Sequence, residues 1–194
     1  MTEEHLAEGK PIALAKQFEP PYVLTFVGRI DQVKGVNRII EAVASVPKNL
    51  IQAVHIIGDG LNREACEEQA TVLPHQIYFH GYLDRVNVHE YIARSHFFLL
   101  PSTNEGFPKV IAEAACYGTI PVVSNVSSIK HYLNESNGFV WNIKEVETYS
   151  DILCHALESE EFLLKNKSNE IKNLSKLFTF EHYYWHLCKS VFKD

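Results

Sequence analysis

The sequence predicts an α/β domain, a Rossmann-like doubly wound parallel sheet of about six strands. Three observations carry this reading. Short runs rich in β-branched and aromatic residues recur along the chain, most of them closed by glycine or proline, and amphipathic helical stretches separate them. The stretch LPSTNEGFPKVIAEAACYGTIPVVS, from Leu100 to Ser124, shows the repeating unit whole. An apolar run from His96 ends at Pro101, a polar turn carries Glu105 and Gly106, a helix opens at Pro108, and a second apolar run spans Ile120 to Val123. Strand, loop and helix in that order make most of a βαβ unit, and the loops at that end of parallel strands are where such sheets bind ligands.

Length and composition bound what the domain can be. A chain of 194 residues is long enough for one well-buried core and short for two. Hydrophobic residues at 46% and charged residues at 22% are ordinary for a globular protein and exclude a disordered chain. A net charge of -6 gives no general attraction to nucleic acid or to an anionic membrane, so any phosphate must be held locally. Cys66, Cys116, Cys154 and Cys188 show no C-x-x-C spacing and no secretory leader precedes them, which points to reduced thiols in a cytoplasmic setting. No apolar run approaches the length of a membrane span.

Residues 1–20 lack periodicity and end at Pro20-Pro21, so they read as an arm or linker with a helical turn near His5 to Ala7. Tyr22 to Val27 is the first strand; after the loop that begins at Gly28, Val36, Ile39, Ile40 and Val43 give a helix its apolar face. Leu50 to Ile57 is the second strand, closing on Gly58-Asp59-Gly60, with a charged helix from Leu61 to Gln69. Gln76 to His80 is a third, short strand; Asp84 suits the N-cap of a helix from Arg85 to Ala93. The opening unit follows, with Ala114, Ala115 and Gly118 allowing close helix-to-sheet packing. Beyond it come a short helix at Ser127 to Lys130, a turn at Asn137-Gly138, a strand from Phe139 to Trp141, helices from Glu145 to Glu158 and Glu160 to Leu174, and a last helix opened by Thr179 that runs through Trp185 to Phe192.

Two loops carry charge in a pattern that suits a diphosphate. In Gly28-Arg29-Ile30-Asp31-Gln32-Val33-Lys34-Gly35, a planar guanidinium and a mobile ammonium straddle the passage from strand to helix. In the Leu100 to Ser124 stretch, Glu105 lies before the helix and Glu113 within it, and Pro108 fits the first helical position, after which free N–H groups make an anion site. Taken alone, each pattern is equally compatible with solvated charges around a turn and a helix start. His182 and His186 are four residues apart without a third ligand and read as surface or interface histidines.

Taken together and in order, these segments resemble retaining glycosyltransferases of family four, the glycosyl transferases group 1. The match lies in the G-R-x4-K-G of Gly28 to Gly35, the E-x7-E of Glu105 to Glu113, and Gly118 to Ser124, and it extends over about Tyr22 to Asp194. The resemblance implies the C-terminal, donor-binding half of a GT-B enzyme, with residues 21–178 forming the nucleotide-sugar domain and residues 179–194 a helix crossing back onto an N-terminal domain not contained in this chain. It implies that Arg29 and Lys34 neutralise a nucleotide diphosphate, that Glu105 faces the donor sugar, and that Glu113 takes the ribose hydroxyls. Gly28, Gly58 and Gly60 then face the donor, Leu83 meets the base edge through its backbone, and Gly106, Phe107, Lys109 and Val110 line the donor side of the helix start. The family's second glycine is Pro108 here, which removes one backbone donor expected at the diphosphate.

No metal or other cofactor is implied, because the two cations serve the leaving group and the chain has no D-x-D ligand motif. The implied partners are a UDP- or GDP-type sugar, a glycan or lipid-linked acceptor and the N-terminal domain, with no nucleic acid. That domain would also carry any peripheral contact with the inner face of a membrane. The process implied is cell-surface polysaccharide or lipopolysaccharide synthesis, and the chain by itself is expected to bind nucleotide without transferring sugar. A natural half-enzyme, a non-catalytic nucleotide-binding module that needs a partner subunit, and a sugar-nucleotide epimerase or hydrolase of the same architecture stand as alternatives.

Overall fold

The computed structural model describes residues 3–106 and 109–191. Six strands form one parallel sheet: β1 (Tyr22–Val27), β2 (Ile51–Ile57), β3 (Ile77–Gly81), β4 (Phe97–Leu100), β5 (Ile120–Ser124) and β6 (Phe139–Trp141). Their spatial order is β3-β2-β1-β4-β5-β6. A parallel sheet covered on both faces needs strands that are apolar throughout rather than alternating. Phe97, Phe98, Leu99 and Leu100 are accordingly buried along the whole of β4, as are all five residues of β5.

The helices divide between the two faces. On one side α2 (Val36–Ala44) packs against α3 (Arg63–Thr71) and α6 (Tyr149–Glu158); on the other, α5 (Lys109–Cys116) packs against α4 (Arg85–Arg94) and α7 (Glu161–Leu174). The chain closes with α8 (Phe180–Val191), capped by the Thr179 hydroxyl, which accepts from the His182 N–H at 3.1 Å. Phe192 lies outside the described residues, as do Phe107 and Pro108 at the start of α5.

Three segments differ from the sequence expectation. Residues 3–15 are not an irregular arm but a helix, α1 (Glu3–Ala15), laid against α5, α4 and α7. Gly9 and Pro11 are poor helix formers and hide the pattern, and the helix is held by packing instead. Gly9 faces the Cys116 carbonyl so closely that a β-carbon there would lie 2.5 Å from the oxygen, and Ala13 and Phe18 are buried. Lys16 extends the attachment, its ammonium donating to the Ser95 carbonyl and, at 2.8 Å, to Thr119 Oγ1. Helix α6 starts at Tyr149 rather than Glu145, because Thr148 and Asp151 close a reciprocal capping box. The short helix after β5 is a single 3-10 turn, Ile129–His131, entered through Ser127 at φ 49°.

Gly9→Val is expected to lift α1 off α5 and to lower stability by about 1–3 kcal/mol. Urea unfolding measures the loss, and faster tryptic cleavage after Lys16, which is held to Ser95 and Thr119 beside the helix, reports the lifted helix. Unchanged stability and cleavage would show that the helix is not held there.

Candidate functional site

The strand order reverses between β1 and β4: the chain first builds outward from β1 through β2 to β3, then returns to place β4 on the other side of β1. At such a reversal the loops after the two central strands diverge and leave a crevice at their carboxyl ends. Those two loops, 28–35 and 101–108, are the ones that carry the charged motifs.

The structure brings Lys34 and Glu105 together across this crevice. Lys34 Nζ lies 2.6 Å from Glu105 Oε1, and Ser102 Oγ donates to the same oxygen at 2.6 Å. The Glu105 side chain is 5% exposed, so the ammonium and the hydroxyl offset the loss of hydration of a nearly buried carboxylate. Backbone fixes the same junction. The Thr103 N–H donates to the Val33 carbonyl at 2.9 Å, and the Arg38 guanidinium reaches the Pro101 carbonyl at 3.3 Å. Gly35 caps α2 in the left-handed region at φ 75°, where a β-carbon would stand 2.7 Å from the Pro101 oxygen. Asp31 shapes the turn before it, accepting from the Lys34 N–H at 2.8 Å.

Arg29 takes a different position. Its side chain is 72% exposed and pairs with Asp31 at 3.2 Å, so it stands at the rim, apart from the Lys34–Glu105 contact.

The loops after β2 and β3 close the same end of the sheet. Gly28 donates its N–H to the Ile57 carbonyl at 3.0 Å, and Gly58 donates to the Gly81 carbonyl at 2.8 Å. Gly58, at φ 127°, presses so tightly on the Gly28 carbonyl that no β-carbon fits. Asp59 is held by Arg63, 3.1 Å away on α3, and by its own bond to the Gly60 N–H at 2.7 Å. Leu83, half-buried, lies in the turn before α4, which the Asp84 carboxylate caps by accepting from the Asn87 N–H. The four loops therefore form one continuous rim.

On the β5 side, Ser127 Oγ bonds Asn104 Oδ1 at 3.3 Å and Ser128 Oγ donates to the Gly106 carbonyl at 2.8 Å, which ties down the loop bearing Glu105. Among the described residues, chain neighbours apart, no atom lies within 4 Å of where a β-carbon on Gly106 would stand. Lys109 is exposed and Val110 half-buried at the start of α5, and Phe107 lies outside the described residues.

Glu113 lies on α5 and faces α4, where Arg85 Nη2 and His89 Nε2 stand 3.6 and 3.7 Å from its Oε1. Burial pushes the Glu113 carboxyl up, but the His89 imidazole and the Arg85 guanidinium outweigh it, and the group ionises below the ordinary carboxylate range. Glu113 and Glu105 are thus held by separate partners. Arg85, His89 and Ser128 escape the sequence reading because each acts from a different element or turn, and spacing along one segment cannot report contacts with another; Ser102, three residues before Glu105 in the same loop, carries no motif that marks it. Among the described residues, no group of three or more His, Cys, Asp or Glu is arranged to hold a metal, and no helix is long and apolar enough to cross a membrane.

Because the folded Glu113 carboxyl is depressed below its unfolded value, its contribution to stability is present above the unfolded pKa and lost as pH falls through the folded one. Glu113→Gln is therefore expected to be less stable than the parent at pH 7 and to approach it below about pH 4. Urea midpoints at the two ends of that range check this; a constant difference would contradict the assigned partners.

Comparison with known proteins places these features in a family. Residues 13–174 match the family described as Glycosyl transferases group 1. An uncharacterized 41.2 kDa protein in the cps region of Klebsiella pneumoniae is 27% identical over 135 residues, 67% of this chain and 35% of that protein. The 2-deoxystreptamine N-acetyl-D-glucosaminyltransferase of Niallia circulans is 34% identical over 102 residues, 51% of this chain and 26% of that one. The chain thus spans about a third of the first relative's length and about a quarter of the second's. The fold is similar to that of Anabaena HepE in complex with UDP-glucose, with a TM-score of 0.74 at 18% identity over 98% of this chain and 53% of that one.

Proposed function

The chain belongs to the glycosyl transferases group 1, and from that premise we propose that it is the donor-binding half of a retaining, family-four glycosyltransferase. In this reading it holds a nucleotide-diphosphate sugar at the carboxyl ends of β1 to β4. The observation that carries the proposal is the meeting of Lys34 and Glu105 at the strand-order reversal. A cation there is set to take a diphosphate, and the carboxylate beside it is set to take sugar hydroxyls.

The difficult step of sugar transfer is breaking the bond between the anomeric carbon and the diphosphate oxygen, because the bonding pair leaves with the nucleotide. Charge growing on that oxygen is stabilised by groups already in place, which lowers the barrier more than groups that must first reorganise. Lys34 supplies one such charge from the crevice. Arg29 supplies a second by turning inward from the rim, exchanging its exposed pairing with Asp31 for a phosphate oxygen; an exposed ion pair holds it only weakly. The free N–H groups at the start of α5 supply dipoles. With two cations at the diphosphate, the reading requires no metal. Glu105 orients the sugar, Glu113 accepts the two ribose hydroxyls, and the backbone near Leu83 meets the base.

The Anabaena structure's UDP-glucose and the transferase name of the N. circulans relative both favour a nucleotide-sugar donor. The cps location of the Klebsiella relative favours cell-surface polysaccharide synthesis, with a glycan or lipid-linked acceptor. The acceptor wall of the cleft would come from a second domain or a separate subunit. Exposed Phe180, Tyr184 and Trp185 on α8 favour such a covering partner. On this reading the 194-residue chain binds nucleotide without transferring sugar.

Calorimetric titration with UDP, GDP and ADP is expected to show binding of one of them, weakened about 10- to 100-fold in Lys34→Ala through loss of one charged phosphate contact. Equal affinity in the variant would overturn the assignment of Lys34.

A further inference from the structure

We infer that His89 is a positioning residue for Glu113, fixing its carboxylate for the two ribose hydroxyls through a relay that begins at Tyr117. This rests on the reading of Glu113 given above. The imidazole links the two groups: Nδ1 lies 2.8 Å from the Tyr117 hydroxyl, Nε2 accepts from Arg85 Nε at 3.4 Å, and Glu113 Oε1 stands 3.7 Å from Nε2. His89 sits one helical turn after Arg85 on α4, so both side chains approach Glu113 from the same face. The His89 side chain is 13% exposed, and the Tyr117 ring meets the imidazole edge-on with centroids 5.7 Å apart, so the ring has little freedom to turn.

The chemistry fixes the direction of the relay. A tyrosine hydroxyl can donate or accept, and burial pushes that of Tyr117 up to about 12, so it keeps its proton near neutral pH. Nε2 accepts from Arg85 Nε at 3.4 Å, so a neutral imidazole carries its proton on Nδ1 and donates it to the Tyr117 oxygen. The imidazole so fixed holds the Arg85 guanidinium, whose Nη2 stands 3.6 Å from Glu113 Oε1, toward the carboxylate. A protonated imidazole turns Nε2–H toward Glu113 instead. In both states Glu113 stays ionised and is drawn toward α4, as an acceptor for two neighbouring hydroxyls must be if neither is to be lost to a swing of the side chain.

The test compares ribose with deoxyribose. Using the 194-residue chain, affinities for UDP, GDP and ADP are measured beside those of their 2′-deoxy counterparts. The parent is expected to favour the ribonucleotide about 10-fold, and Glu113→Ala to abolish the preference. His89→Phe is expected to cut it below about 3-fold by weakening the ribonucleotide more than the deoxynucleotide, with Tyr117→Phe moving it the same way. His89→Gln, which keeps an N–H donor, is expected to restore part of it. If Glu113→Ala abolishes the preference but folded His89→Phe and Tyr117→Phe retain it, or lose both affinities equally, the positioning role is overturned and Glu113 keeps its own. If the parent shows no preference, the ribose role of Glu113 falls and this inference with it.

Discussion

The contact between Lys34 and Glu105 joins the two halves of the sheet at the end where they part. One residue follows β1 and the other follows β4, and neither loop is held in place by the strand ladder itself. A carboxylate exposed by only 5% is costly without a partner, so the ammonium and the Ser102 hydroxyl constrain where both loops run. The neighbouring backbone obeys the same constraint. Gly35 must leave its turn at positive φ because the Pro101 carbonyl occupies the space a side chain would need, and Val33 and Thr103 bond across the gap. A diphosphate arriving in the crevice would meet a cation already aimed, and Lys34 would then divide its charge between ligand and carboxylate.

Around this junction the remaining loops are set by close backbone approach rather than by side-chain packing. Gly28, Gly58 and Gly81 bring the ends of β1, β2 and β3 into direct hydrogen bonding, which leaves a rim of backbone groups facing the crevice. Glu113 lies on α5, with its own supports on α4. Separate supports would let the two carboxylates serve different parts of one extended ligand, as the proposal requires. The sheet supplies rigidity, since β4 and β5 are buried throughout, and α1 extends it from the far side by packing its Gly9 face on the end of α5.

Much of this was legible in the sequence where the information is local. All six strands fall on apolar runs, and β1 to β4 end at Gly28, Gly58, Gly81 and Pro101, because a parallel sheet buried on both faces writes itself as uninterrupted hydrophobicity. The two charged loops stood out through residue type and spacing. Part of what was not legible depended on contacts between elements, and part on side-chain directions within one loop or cap. Gly9 and Pro11 conceal α1, whose stability comes from the surface it lies on. The direction of Arg29 depends on Asp31, and spacing alone could not separate an arginine at the rim from one in the crevice. Helix α6 carries its own start signal in Thr148 and Asp151, which overrode the helix-favouring glutamates before it.

The most direct test of the central claim is an amide NMR titration of the chain with UDP, GDP and ADP. A nucleotide bound at the junction predicts saturable shifts concentrated in residues 28–35, 58–60, 81–84 and 101–106, with the Lys34 and Glu105 amides among the largest. Saturable shifts confined to the opposite end of the sheet, around Lys16, Ser95 and Thr119, would contradict it, as would the absence of any saturable change with all three nucleotides.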